Sequence, residues 1–173
     1  MPDDGAVEWA PLAPYWAVLW RSGVALAREL GGMELRGRRV VELGCGLAVP
    51  SIAAARAGAE VLATDSDAEA LELVARNADA NDVRVETAVV DWTGPEELVA
   101  RAPFDIVLAA DVLYERQSVA PLLSLLPRLA PEALVADPDR PAAAAFLGEG
   151  RRRGWGVETT IRDVVRIHRL QLG

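Results

Sequence analysis

The stretch Val40-Val41-Glu42-Leu43-Gly44-Cys45-Gly46-Leu47-Ala48-Val49-Pro50 decides the fold. Ahead of it, Arg38-Arg39-Val40-Val41-Glu42-Leu43 follows Gly37 as a short apolar run, the pattern of a buried strand. Behind it, Ser51-Ile52-Ala53-Ala54-Ala55-Arg56-Ala57 is rich in helix formers and stops at Gly58, a favoured residue past a helix end. Strand, glycine turn and helix together make the unit that brings a ligand against backbone amides at a helix N-terminus. Gly44 and Gly46 carry no Cβ, so the turn can be sharp and the approach close. A plain strand-to-helix turn without a ligand is the competing reading.

The residues around the glycines narrow the ligand class. A dinucleotide site wants Gly-x-Gly-x-x-Gly, and Val49 stands at the third glycine position, which argues against a bound pyrophosphate. Glu42, two residues before the first glycine, would repel a phosphate and suits a ligand carrying a cationic amine. Next, Glu60-Val61-Leu62-Ala63-Thr64 reads as a second buried strand ending at Asp65, 21 positions past Gly44. A carboxylate there can accept both hydroxyls of an adenosine ribose. Alternatively Asp65 or Asp67 caps the helix that follows, Ala68 to Ala80. Asp67 fits the cap better, which leaves Asp65, with Ser66 beside it, for the ribose.

Further on, Val83 to Val90 predicts a third strand ending at Asp91-Trp92, and Glu96 to Ala102 a short helix. The Asp91 carboxylate could take the exocyclic amine of adenine and the Trp92 indole could stack on the ring, though a cap or turn accounts for Asp91 nearly as well. Phe104 to Ala110 is the fourth strand and leads into Asp111-Val112-Leu113-Tyr114-Glu115. Ligands of open α/β sheets sit outside the carboxyl ends of strands, so Ala110, Asp111 and Tyr114 fall at the expected site. Gln117 to Leu129 is helical, divided by Pro121 and Pro127. Ala133 to Ala136 makes a fifth strand, and a helix runs from Ala142 to about Arg153. Gly156–Ile161 and Val164–Leu172 close the chain as a hairpin turning at Arg162-Asp163. The pattern predicts an α/β, Rossmann-like fold: a mostly parallel seven-stranded sheet, its last strand antiparallel, with helices on both faces.

The N-terminal part, Trp9 to Leu30, holds the aromatic cluster Pro14-Tyr15-Trp16-Ala17-Val18-Leu19-Trp20. Trp16 and Trp20 are four apart and on a helix would share one face. That face either packs on the sheet or forms a lid with an aromatic ring near the ligand. Residues 1–32 are accordingly expected to be a lid segment on a single domain whose core is 33–173.

Composition excludes several functions. At 173 residues the chain can bury a real core, and a net charge of −8 disfavours non-specific nucleic-acid binding. All basic residues are arginine, which a GC-rich coding genome explains. One cysteine excludes an internal disulfide, and with only one histidine a structural zinc site is not expected. Cys45 reads as a small packed side chain, His168 as structural or exposed, and Arg151-Arg152-Arg153 as a solvated helix end. No apolar run reaches membrane-spanning length, and Met1-Pro2-Asp3-Asp4 lacks the basic start of a signal peptide. A cytoplasmic monomer is the expectation.

The stretch from Glu42 to Ala48 resembles motif I of the class I S-adenosylmethionine (SAM) methyltransferases, with Ala48 at the last glycine position. Pro14-Tyr15-Trp16-Ala17 with Trp20 and Gly23, Asp65, and Asp111-x-x-Tyr114 extend the resemblance to the seven-β-strand protein lysine methyltransferases of the methyltransferase-like group. Asp137-Pro138-Asp139-Arg140-Pro141 is similar to the Gly-Asp-Pro-Gly-Arg-Pro stretch of the electron-transfer-flavoprotein β-subunit lysine methyltransferases, with Ala136 and Asp139 replacing the two glycines. The resemblance implies SAM bound by Trp20, Glu42, Gly44, Cys45, Gly46, Asp65, Ser66, Asp91, Trp92 and Ala110. It also implies methyl transfer to a protein lysine, with S-adenosylhomocysteine (SAH) leaving and Asp111 and Tyr114 at the acceptor. A small-molecule amine acceptor, a non-catalytic partner-binding module, and a nicotinamide-dependent oxidoreductase weakened by Val49 are the alternatives.

Overall fold

A computed structural model describes residues 14–173; Trp9 and the rest of 1–13 lie outside the described residues. Seven strands form one sheet in the order β3-β2-β1-β4-β5-β7-β6. They are β1 (Arg39–Leu43), β2 (Glu60–Asp65), β3 (Glu86–Val89), β4 (Ile106–Ala110), β5 (Glu132–Asp137), β6 (Trp155–Arg162) and β7 (Val165–Leu172). The first five pair in parallel, whereas β7 runs antiparallel to both β5 and β6, so the sheet is the predicted one. The intervening helices are α1 (Arg21–Leu30), α2 (Val49–Arg56), α3 (Ala68–Ala80), α4 (Glu96–Val99), α5 (Val119–Leu129) and α6 (Pro141–Arg152).

Alternation along the strands divides the core in two. Val41, Leu43, Val107, Ala109, Ala133 and Val135 point to the side covered by α5 and α6, where Phe146, Leu122 and Leu123 are fully buried. Their neighbours Val40, Ile106, Leu108, Leu134 and Ala136 point to the other side, against Leu26 and Leu30 of α1 and Ala54 of α2. Both faces of the central strands are apolar, which is why those strands read as unbroken hydrophobic runs.

Several boundaries differ from the sequence reading. Trp16 and Trp20 do not share a helical face: Tyr15–Ala17 is a single 3₁₀ turn, Val18 and Trp20 are extended, and α1 starts only at Arg21. Tyr15, not Trp16, stacks on the Trp20 ring, at 5.6 Å between centroids. The prolines do not divide α5, which runs continuously from Val119. Pro121 sits in its first turn, where an amide N–H has no partner in the helix, and Pro127 falls near its end. The third strand and the fourth helix are shorter than predicted. Asp67 does cap α3, accepting from the Glu69 N–H at 2.9 Å. His168 is buried in β7 with Nδ1 2.9 Å from Thr159 Oγ1, and burial lowers its pKa. Arg152 and Arg153 both pair with Glu149 at the exposed end of α6. No helix among the described residues is long and apolar enough to cross a membrane.

Candidate functional site

The carboxyl ends of β1, β2 and β4 open onto a cleft of about 970 Å³, at the upper end of the range for small-molecule sites. Its floor is the turn after β1. Gly44 and Gly46 have φ of +65° and +48°, in the left-handed region. A Cβ on Gly44 would come within 3.0 Å of Val112, and one on Gly46 within 3.0 Å of the Trp16 carbonyl oxygen. Glycine is required at both for backbone shape and for space. Ala48, the departure from the glycine pattern, is also left-handed at φ +57° and fully buried. This explains why glycine suits that position; alanine tolerates it at a cost of about 1 kcal/mol.

Asp65 stands at the tip of β2, directly across the turn. Its Oδ2 accepts from the Gly46 N–H at 2.9 Å and its Oδ1 from the Asp67 N–H at 3.1 Å. The carboxylate is thereby aimed, and each oxygen keeps a lone pair for a ligand. Ser66 and Asp67 line the cleft beside it. Glu42, at the end of β1, is buried, and Ser51 at the start of α2 gives its Oε2 both the backbone N–H and the hydroxyl. Oε1 takes part in neither bond. Burial outweighs these hydrogen bonds and pushes the Glu42 carboxyl up to about 8. Cys45 is buried in the same turn, and burial with the nearby Glu42 carboxylate raises its thiol pKa, so it is an inert packed side chain.

A stability test follows from Glu42. An unfolded glutamate titrates near 4.3, so the folded state holds the proton more tightly. The contribution is complete below about pH 4.5 and is lost as pH rises through about 8. Denaturant unfolding of ligand-free protein at several pH values is expected to show this falling slope, and Glu42→Gln is expected to remove it. Equal slopes in both proteins would contradict the assignment.

On the far wall, Asp91 accepts from the Thr93 N–H and hydroxyl, both at 2.8 Å, a turn that lowers its pKa. Both Asp91 and Trp92 line the cleft, and the Trp92 ring lies over Gly44. Ala110 at the end of β4, with Asp111 and Tyr114 beyond it, completes the wall. Asp111 has φ +61°; its Oδ2 accepts from the Ser22 N–H of α1 at 3.2 Å and its Oδ1 pairs with Arg140 at 2.7 Å. Tyr114 is exposed at the rim with Tyr15 6.4 Å away, and Trp20 donates its indole N–H to the Tyr15 carbonyl. All twelve residues singled out from the sequence therefore reach one cleft.

Three further residues take parts in the site that the sequence reading did not assign to them. Ser51 orients Glu42, the Trp16 carbonyl roofs Gly46, and Arg140 is the one cation among the described residues lining the cleft. Against it stand five carboxylates, those of Asp65, Asp67, Asp91, Asp111 and Glu115, beside Glu42, whose buried carboxyl keeps its proton up to about pH 8. Such a lining repels phosphate and attracts a cationic ligand. Among the described residues, no cation sits at the glycine turn.

Comparison with known proteins agrees with this geometry. The model of a family described as lysine methyltransferase matches residues 15–140. The chain is 38% identical over 120 residues to the protein N-lysine methyltransferase METTL21A of Mus musculus, covering 65% of this chain and 55% of that protein. It is 33% identical over 141 residues to the electron transfer flavoprotein beta subunit lysine methyltransferase of Xenopus laevis, covering 76% and 55%. The chain thus spans about half the length of these curated relatives. Among solved structures, magnesium protoporphyrin IX methyltransferase from Synechocystis PCC 6803 with bound SAM has the same fold, with a TM-score of 0.67, 20% identity, and 87% and 78% of the two chains covered.

Proposed function

The chain belongs to the lysine methyltransferase family, and on that premise we propose that it transfers a methyl group from SAM to a protein lysine. The observation that carries this reading is the aimed carboxylate of Asp65 at the glycine turn, in one cleft where acidic side chains outnumber the single arginine and which Asp111 and Tyr114 close. When bound, SAM supplies a methyl group on a positively charged sulfur. Asp65 would accept the ribose hydroxyls, and Glu42 would take the amine. Asp91 and Trp92 would hold the adenine, and Gly44, Cys45, Gly46, Ser66, Ala110 and Trp20 complete the walls.

The acceptor side has a different task. A lysine ammonium has a pKa near 10.4 and cannot attack until it loses a proton. Asp111 orients the nitrogen and Tyr114 walls the channel, while the proton leaves to solvent. Tyr114 keeps its proton at neutral pH, its ordinary pKa near 10 being raised further by partial burial, so no phenolate is at hand to act as a base. Positioning carries most of the rate in this reading. The N-terminal segment to residue 32 serves as a lid on the catalytic core formed by residues 33–173. We read the protein as a cytoplasmic monomer with no nucleic-acid or membrane partner; its charge of −8 disfavours contact with nucleic-acid phosphates.

The acceptor we favour is the electron-transfer-flavoprotein β-subunit, on the strength of the Asp137–Pro141 stretch and the Xenopus laevis relative. The test is incubation of that purified protein with methyl-labelled SAM, followed by mass-spectrometric location of the label. This chain contains no lysine, so a methylated lysine side chain comes from the acceptor alone. Label on a lysine of the β-subunit is the expected result. Label confined to free small amines would transfer the activity to a small-molecule acceptor.

A further inference from the structure

The carboxylate that faces the acceptor is not bare. Arg140, immediately before α6, gives its guanidinium to Asp111 at 2.7 Å and to Asp137 at 3.0 Å. Asp137, fully buried at the end of β5, also accepts the Arg140 backbone N–H at 2.6 Å. One arginine thus ties the end of β4 to the end of β5, and only a quarter of its side chain is exposed. Ser22 on α1 holds the other Asp111 oxygen. The remaining charges nearby are committed or distant: Asp139 pairs with Arg166 of β7 at 2.8 Å, and buried His168 faces Thr159. Glu115 and Asp65 act on Tyr114.

We infer that Arg140 is a positioning residue that fixes the Asp111 carboxylate and masks part of its charge, so that the acceptor amine is held without being locked as an ammonium. This inference rests on the lysine-acceptor reading above. Its logic is electrostatic. An unmasked carboxylate would bind an ammonium tightly and hold its proton, which opposes the attack that only a neutral amine can make. A cation beside the carboxylate weakens that grip, and each oxygen, already bonded to Arg140 or Ser22, keeps a further lone pair for the acceptor. With Asp111 and Asp137 each carrying one negative charge and Arg140 one positive, the group presents a net charge of −1 to the acceptor. Removing Arg140 makes it −2.

The test titrates the SAH-saturated protein with n-butylammonium, a lysine side chain without its backbone. Arg140→Gln is expected to bind it about fivefold more tightly than wild type, the scale of one partly solvated charge several ångströms away. Asp111→Asn is expected to bind it more weakly, and Arg140→Lys, which keeps the charge, within about twofold of wild type. In methyl transfer to the electron-transfer-flavoprotein β-subunit, the rising limb of the Arg140→Gln pH profile is expected about 0.7 pH unit higher, the same fivefold. SAH affinity measured in parallel checks that the cleft is intact, with Arg140→Met as a second variant keeping the apolar stem. Unchanged or weaker n-butylammonium binding in a variant that still binds SAH would overturn the inference. Loss of fold in both variants would also overturn it, since the role would then be purely structural. If wild type does not methylate the β-subunit, the acceptor reading fails while the titration still decides the part played by Arg140.

Discussion

Replacing Asp65 by alanine is expected to weaken SAH binding by about a hundredfold or more, measured by calorimetric titration. A hydrogen bond to a charged group contributes about 1.5–3 kcal/mol, and each 1.4 kcal/mol is a factor of ten in affinity. Two such bonds to the ribose account for the loss. The variant also frees the Gly46 and Asp67 amides that the carboxylate now holds, so the turn loses part of its preorganisation. Asp65→Asn keeps the size and one acceptor oxygen, and its expected loss is smaller, about tenfold. Affinity within threefold of wild type in the alanine variant would mean that the ligand does not use this carboxylate.

The second large effect concerns stability. Phe146 on α6 is completely buried and packs within the cluster formed by α5, α6 and the inner strands. Phe146→Ala is expected to cost about 3–5 kcal/mol, the lost transfer energy plus the cavity left behind. Against the 5–15 kcal/mol that holds an ordinary domain together, that is a large share. Urea denaturation at 25 °C checks it through the shift in midpoint. Because Phe146 does not line the cleft, the fraction that remains folded is expected to bind SAH with nearly unchanged affinity. A loss below 1 kcal/mol would mean that the α5–α6 layer repacks easily.

The parts of the molecule that could be read from the chain are those governed by local rules. The apolar runs of β1 and β4, the Asp67 cap, and the alternation leading to a final hairpin all depend on neighbours a few residues away. The same holds for the glycine turn, whose left-handed residues can be anticipated from composition. Long-range packing decides the rest. Trp16 and Trp20 leave the helix because the chain folds back until the Trp16 carbonyl lies over Gly46, a contact no helical periodicity records. Pro127 passes as helix because the buried leucines around it hold α5 in place. Arg140 and Asp111 meet only because β4 pairs with β5, Ala110 opposite Ala136, which brings two distant loops side by side. Glu42 could be picked out as acidic and near the turn, but its neutral-pH titration depends on burial behind Ser51.

The most direct measurement is calorimetric titration of the unmodified protein with SAH, run beside NAD⁺ under the same conditions. A cleft built around Asp65 and Glu42, lined by five carboxylates against one arginine, predicts micromolar binding of SAH and no detectable heat with NAD⁺. Absence of SAH binding, or equally tight binding of NAD⁺, would contradict the assignment of this cleft to an amino-acid nucleoside.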